Sequence, residues 1–185
     1  MLSHISGDWM NIVLGRFQPL HNGHITILEH ALAKGATTIA IGSAQLGHED
    51  NNPWTGEERK QMLQDWLGDR EAEIVLIDDI NDPPNWVEHA KKIHGEGLLV
   101  TSDETTAQLY RTDDFKVELI ELHDRERLEG WRIRQTLTML STVGDDEALR
   151  EVMAGMLPKA VINWLIEHDG IYRLSQIAGQ RPYTG

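Results

Sequence analysis

Met10–His24 reads MNIVLGRFQPLHNGH: an apolar run closing on Gly15, a loop carrying Arg16, Pro19 and two His, and the opening of a second segment, HITILEHALAKG, that ends at Gly35. In that segment Ile25, Leu28 and Leu32 fall at helical spacing, as do Ile27 and Ala31, and Lys34 with Gly35 supplies a stop. The stretch predicts a strand, a loop and a helix. The same alternation continues outward from it. TTIAIG (Thr37–Gly42) is β-rich, and TGEERKQMLQDWLG opens with Thr55 and Glu58 spaced as a capping box ahead of Met62, Leu63 and Trp66. EIVLID (Glu73–Asp78) leads through Asn81, Pro83 and Pro84 into WVEHAKKIH. LLVTS (Leu98–Ser102), a short helix near Thr105–Tyr110 and KVELIEL (Lys116–Leu122) complete the series. After Leu122 the pattern is helical only, over about Ile133–Leu140, Asp146–Ala154 and Pro158–His168.

Five short strands of near-continuous apolar character, joined by single helices, predict an α/β fold: a Rossmann-like, doubly wound parallel five-stranded sheet with a helical C-terminal segment. Ligands of such sheets sit where strand carboxyl ends meet helix N-termini. The reading divides the chain into an N-terminal extension (1–9), one domain (10–174) and a loose C-terminal tail (175–185), with Met10 an alternative start.

The 185 residues carry 17 Lys plus Arg against 30 Asp plus Glu, a net charge of −13, with 40% hydrophobic residues, six Trp and no Cys. That length supports one core without staples. Without Cys there is no disulfide scaffold, thiolate metal site or Cys nucleophile, and a reducing compartment, the cytoplasm, is expected. No apolar run reaches the roughly 20 residues of a membrane span, and MLSHISGDWM has neither the basic nor the apolar region of a signal peptide. The acidity argues against nucleic acid as a partner, because phosphate backbones are held by Lys and Arg. An anionic small substrate therefore needs a local basic pocket.

GRFQPLHNGH (Gly15–His24) offers one. A helix N-terminus presents free N–H groups and partial positive charge, imidazoles donate to phosphate oxygens, and Gly23 lets the backbone approach a ligand. The His pair alone says little, since nine His in 185 residues give roughly 0.4 pairs at any one spacing by chance. His48, Glu49 and Asp50 are adjacent and read as a solvated loop, and His89 and His94 point in different directions on one helix. No protein metal site is expected.

The whole ten-residue string resembles the signature of the nucleotidylyltransferase superfamily, in the form GRFQPxHxGH of the archaeal-type nicotinamide mononucleotide (NMN) adenylyltransferases. GSAQ (Gly42–Gln45), PWTGEER (Pro53–Arg59), DINDPPNWVEH (Asp79–His89) and LPKAV (Leu157–Val161) are similar to further segments of that family. The resemblance implies transfer of AMP from ATP to NMN, with Mg²⁺ carried on the ATP phosphates and a homo-oligomer whose order the sequence leaves open. It implies His21, His24, Arg16 and Arg134 at the polyphosphate. It places Gly15, Phe17, Gly23, Thr101, Asp103, Gly130, Arg132 and Ile133 around ATP, and Gln45, Asp79, Ile80 and Trp86 around the mononucleotide. The family's SGTEIR turn is EGWRIR here, Glu129–Arg134: two hydroxyl residues are replaced by Glu129 and Trp131, and Arg132 stands in place of Glu. Arg132 is expected to compensate for the lost hydroxyls. Another nucleotidyltransferase of the superfamily, such as a pantetheine-phosphate adenylyltransferase-like enzyme, and a non-catalytic NAD- or ATP-sensing module are the alternatives. Choice between nicotinamide and nicotinate mononucleotide is left open.

Overall fold

The computed structural model describes residues 9–123 and 128–180. Five parallel strands, β1 (Asn11–Gly15), β2 (Thr37–Ile41), β3 (Glu73–Leu76), β4 (Leu98–Thr101) and β5 (Lys116–Leu119), form one sheet in the order β3-β2-β1-β4-β5. Helices α1 (Asn22–Lys34), α2 (Gly56–Leu67), α3 (Trp86–His94) and α4 (Glu104–Thr112) provide the crossovers. Beyond the sheet come α5 (Gly130–Leu140), α6 (Asp146–Met153), α7 (Lys159–Glu167) and α8 (Tyr172–Gly179). The doubly wound α/β expectation holds. Among the described residues no helix is long and apolar enough to cross a membrane.

The strand order decides where a ligand can enter. β1 pairs with β2 on one side, Gly15 opposite Ile41, and with β4 on the other, Ile12 opposite Leu99. The winding reverses between β1 and β4, so the loops at their carboxyl ends diverge and open a crevice. Every residue of β2 is buried, which explains its unbroken apolar and Thr composition. The core against this sheet includes Leu28, Ile39, Met62, Ile133 and Val161, with Trp54 and Trp164 buried as packing residues.

Two expectations about the ends of the chain need correction. α5 begins at Gly130, three residues before the expected start at Ile133, because Glu129 already accepts the first helical hydrogen bonds through its carbonyl. The expected loose tail after Leu174 is helical through Gly179, and Leu174 is buried. Composition hides α8 because its order comes from tertiary contacts. Arg173 grips Glu58 in a two-point ion pair, Nη1 to Oε2 at 2.6 Å and Nη2 to Oε1 at 2.7 Å, and Glu58 also accepts from the Thr55 N–H in the capping box of α2. Residues 1–8 and 181–185, most of the expected extension and part of the expected tail, lie outside the described residues.

Burial acts to raise the Glu58 pKa, but the hydrogen bonds from Arg173 and Thr55 overcome it and hold the carboxyl below its usual value. Both partners are less than a quarter exposed. Removing one end leaves the other charge partly buried, so Arg173→Met should destabilise the protein by on the order of 1–3 kcal/mol. Urea unfolding of Arg173→Met, Glu58→Gln and the double variant checks this. A coupling energy near zero would show that α8 docks without the ion pair.

Candidate functional site

The loop from β1 to α1 is built from the inside outward. Gly15 is tight against Phe17, since a Cβ there would lie 3.0 Å from the phenyl ring. Phe17 takes a positive φ of 50° and buries its ring, and Gln18 ties the loop down by donating to Trp54 O at 2.8 Å while accepting from Trp54 N. His21 then caps α1. Its Nδ1 accepts from the His24 N–H at 3.4 Å, and His24 Nδ1 accepts from the His21 N–H at 3.3 Å, a reciprocal capping box made of two imidazoles. The rings stack with centroids 3.6 Å apart, and Phe17 supports His24 at 4.8 Å. Gly23 is required beneath them, because a Cβ would stand 3.1 Å from the His21 ring.

This geometry sets the protonation state. With each Nδ1 used as an acceptor, each neutral ring carries its proton on Nε2 and keeps that N–H as its remaining donor. Burial first, and then the charge of Arg134, lower the His21 pKa to about 4. His24 is held well below the usual histidine value, again by burial first and then by His21. At neutral pH the pair is an uncharged double donor.

Positive charge comes from arginines. Arg16 is exposed. Arg134 is buried, donates from Nη1 to Gln18 O at 3.1 Å, and has its pKa lowered by burial and then by the like charge of Arg16. Gly130 leaves room for it, since a Cβ there would come within 3.2 Å of Nη1.

The crevice between β1 and β4 is a cleft of about 480 Å³. Arg16, His21, Gly23 and His24 line it from the first loop, Ser102 and Asp103 from the end of β4, and Glu129, Gly130 and Trp131 from the start of α5. Ile27, Leu122 and Leu128 give it an aliphatic side. Asp103 also caps α4, its Oδ2 accepting from the N–H and hydroxyl of Thr106. Thr101 is buried and its hydroxyl accepts from the Asp103 N–H, so it shapes the turn. Arg134 faces an adjoining cleft of about 370 Å³ with Asn51, Gln135 and Thr138, and Trp131 borders both.

Three expected contacts are placed differently. Phe17 and Ile133 have their side chains in the core, so only their backbone can meet a ligand. Arg132 is half exposed, pairs with Glu129 at 3.5 Å, and is not among the residues that line either cleft. Its guanidinium follows the nearer carboxylate and ring. On the β2–β3 side, the Gln45 amide donates to Asp79 O and accepts from Asp79 N, while Ser43 Oγ donates to Asp79 Oδ2 at 2.6 Å. Ile80 is exposed beside them in sequence, and Trp86 opens α3, half buried, with its ring 6.3 Å edge-on to Tyr110.

Arg59 is the residue that sequence reasoning passed over. It is fully buried, and its guanidinium donates to the carbonyls of Arg16, Gly42, Ser43, Leu46 and Thr55. Its spacing to Met62 and Leu63 on the apolar face of α2 was the available signal.

Among the described residues no three His, Cys, Asp or Glu gather into a metal cluster. The cleft's acidic side chains are Asp103 and Glu129, a donor set suited to a cation that arrives already bound to phosphates.

Residues 12–152 match the family described as cytidylyltransferase-like. The chain is 34% identical over 170 residues to the nicotinamide-nucleotide adenylyltransferase of Methanosphaerula palustris, covering 90% of this chain and 95% of that protein. It is 29% identical over 174 residues to the protein of the same name from Thermococcus sibiricus, covering 90% and 88%. A bifunctional NMN adenylyltransferase/ADP ribose pyrophosphatase from Francisella tularensis superposes with a TM-score of 0.62 at 18% identity over 95% of this chain, which spans 58% of that one. The same protein complexed with AMP and a manganese ion gives 0.59 at 17% identity, with 95% of this chain and 57% of that chain covered. At those identities the likeness is one of fold.

The lowered His21 pKa has a consequence for stability. The folded value lies below the unfolded one, so as pH falls from about 6.5 towards 4 the unfolded chain takes up a proton that the folded chain refuses. Stability is lost across that window, by on the order of 2–3 kcal/mol from this residue. Denaturant unfolding at pH 7.5 and pH 5 should show a smaller loss for His21→Gln than for the parent protein; equal losses would place His21 in a more solvated state.

Proposed function

Because the chain belongs to the cytidylyltransferase-like family, among its nicotinamide-nucleotide adenylyltransferases, we propose that it transfers AMP from ATP to NMN and releases NAD and pyrophosphate. The supporting observation is the stacked, uncharged His21–His24 pair at the head of α1, in one cleft with Arg16 and beside Arg134. The 5′-phosphate of the mononucleotide is already a nucleophile, so attack on the α-phosphorus of ATP requires no general base and no covalent enzyme intermediate. The chain's work is alignment and charge stabilisation.

In this reading the Nε2–H groups of His21 and His24 donate to the α- and β-phosphate oxygens. As the bond to pyrophosphate breaks, charge builds on the leaving oxygens, and Arg16 and Arg134 offset it. Gly15, Gly23 and Gly130 let the backbone close on the nucleotide, and Ser102 and Asp103 border its sugar or base. Gln45, Asp79, Ile80 and Trp86 hold the mononucleotide, with Trp86 facing its pyridinium ring. Mg²⁺ carried on the phosphates would supply charge neutralisation, and Asp103 and Glu129 are the cleft carboxylates that would help hold it. The reaction is assigned to the cytoplasm and the protein to a homo-oligomer, to be checked by fractionation and native mass measurement.

Pyrophosphate release with purified protein, ATP, Mg²⁺ and either nicotinamide or nicotinate mononucleotide tests the proposal, with phosphopantetheine as the competing acceptor. Release with neither mononucleotide overturns it. His24→Ala should lower turnover by roughly 10²-fold or more with the fold intact, since it removes a donor to charge that develops in the transition state. Near-normal turnover would take His24 out of the mechanism.

A further inference from the structure

Glu129, Trp131 and Arg132, the three positions where the first turn of α5 departs from the family pattern, are bound to one another. The Trp131 indole N–H donates to Glu129 Oε2 at 2.6 Å, and Arg132 Nε lies 3.5 Å from the same oxygen. The Arg132 guanidinium carbon stands 4.7 Å from the indole centroid. Glu129 makes no side-chain hydrogen bond to the helix it precedes. These contacts hold an indole that remains 52% exposed and that borders both clefts.

We propose that Trp131 is a specificity-determining residue for the adenylyl donor, its indole providing the stacking surface for the purine base in the cleft of Arg16, His21 and His24. The proposal rests on the adenylyl-transfer reading and adds a contact to it. With its N–H committed to Glu129, the indole offers a ligand only its ring. The electron-rich face of that ring is a poor neighbour for phosphate and a good one for a flat base. The cleft has two zones, the donors and cation of the first loop on one hand and the aliphatic Ile27, Leu122 and Leu128 on the other. A nucleoside phosphate has the same two zones.

Arg132 decides which ring fits. The indole already faces one cation, so a second, the pyridinium of the mononucleotide, is disfavoured there, whereas a neutral purine is not. The loss of the hydroxyl residues from this turn is then an exchange of phosphate ligands for a base platform. Arg132 acts by steadying that platform.

The test uses the full chain. In Trp131→Ser, which restores a hydroxyl side chain, the KM for ATP should rise at least 10-fold with kcat within about threefold and the mononucleotide KM within twofold, and the preference for ATP over CTP should shrink. Trp131→Phe, which keeps an aromatic face, should retain most of the ATP affinity and the ATP preference. Titration with AMP should quench tryptophan emission in the parent protein, and the quench should disappear in Trp131→Phe even though five other Trp remain. An ATP KM within twofold in Trp131→Ser, equal rises for both substrates, or an AMP quench that persists in Trp131→Phe would overturn the assignment. The quench needs no turnover, so it decides the stacking even if the parent protein proves inactive and the adenylyl-transfer reading fails.

Discussion

The buried guanidinium of Arg59 is the interaction on which the carboxyl end of the sheet depends. It binds carbonyls from the loops after β1 and β2 and from the N-cap of α2. Ser43 O also accepts from the Leu46 N–H and Thr55 O from the Arg59 N–H, so the guanidinium matters most to the carbonyls of Arg16, Gly42 and Leu46, since a buried acceptor without a donor costs on the order of 1–3 kcal/mol. Burial and the nearby charge of Arg16 lower the Arg59 pKa to about 10, while Asp79 and Glu58 support the charged form, so it stays a cation at neutral pH. Its partners are carbonyl dipoles. The site loops therefore rest on a fixed positive charge that, among the described residues, is met by carbonyls and by no carboxylate at ion-pair distance.

A chain of net charge −13 thus places three arginines near the first loop, Arg16 lining the crevice, Arg59 buried beneath it and Arg134 facing the adjoining cleft. The division of labour is physical. Arginines hold their charge despite burial, whereas the two histidines give it up because desolvation and their shared capping geometry favour neutral rings. A stacked pair 3.6 Å apart tolerates two neutral imidazoles far better than two imidazolium ions. Donors that carry no net charge, set beside guanidiniums that do, can orient phosphate oxygens without depending on a titration near neutral pH.

Strands β1–β5 and helices α1–α7 were legible in the chain because apolar residues run nearly unbroken through the strands and recur at helical spacing in the helices. Their ends were less so. β3 stops at Leu76 and β5 at Leu119, short of the expected Asp78 and Leu122, although the Ile77 N–H still donates to Ile41 O and the Ile120 N–H to Thr101 O just beyond those ends. α8 left little trace in composition because Arg173 orders it through Glu58, a contact across 115 residues. Arg59 was passed over for the reverse reason: an arginine reads as surface until its five acceptors, drawn from separate loops, are assembled around it.

The sequence by itself determined the α/β order and marked the loop between β1 and α1, with His21, His24 and Arg16, as the candidate site, because these follow from local periodicity and from a contiguous string of residues. Only the tertiary structure decided that both histidines are neutral, that Arg134 reaches Gln18, that Arg132 turns to Glu129 and Trp131, and that Trp131 stands at the border of two clefts. Protonation and side-chain direction are set by desolvation and by the nearest opposite charge or dipole. Except in the local turn of Glu129, Trp131 and Arg132 and in the capping box that His21 and His24 make with each other, those partners come from segments that folding alone brings together.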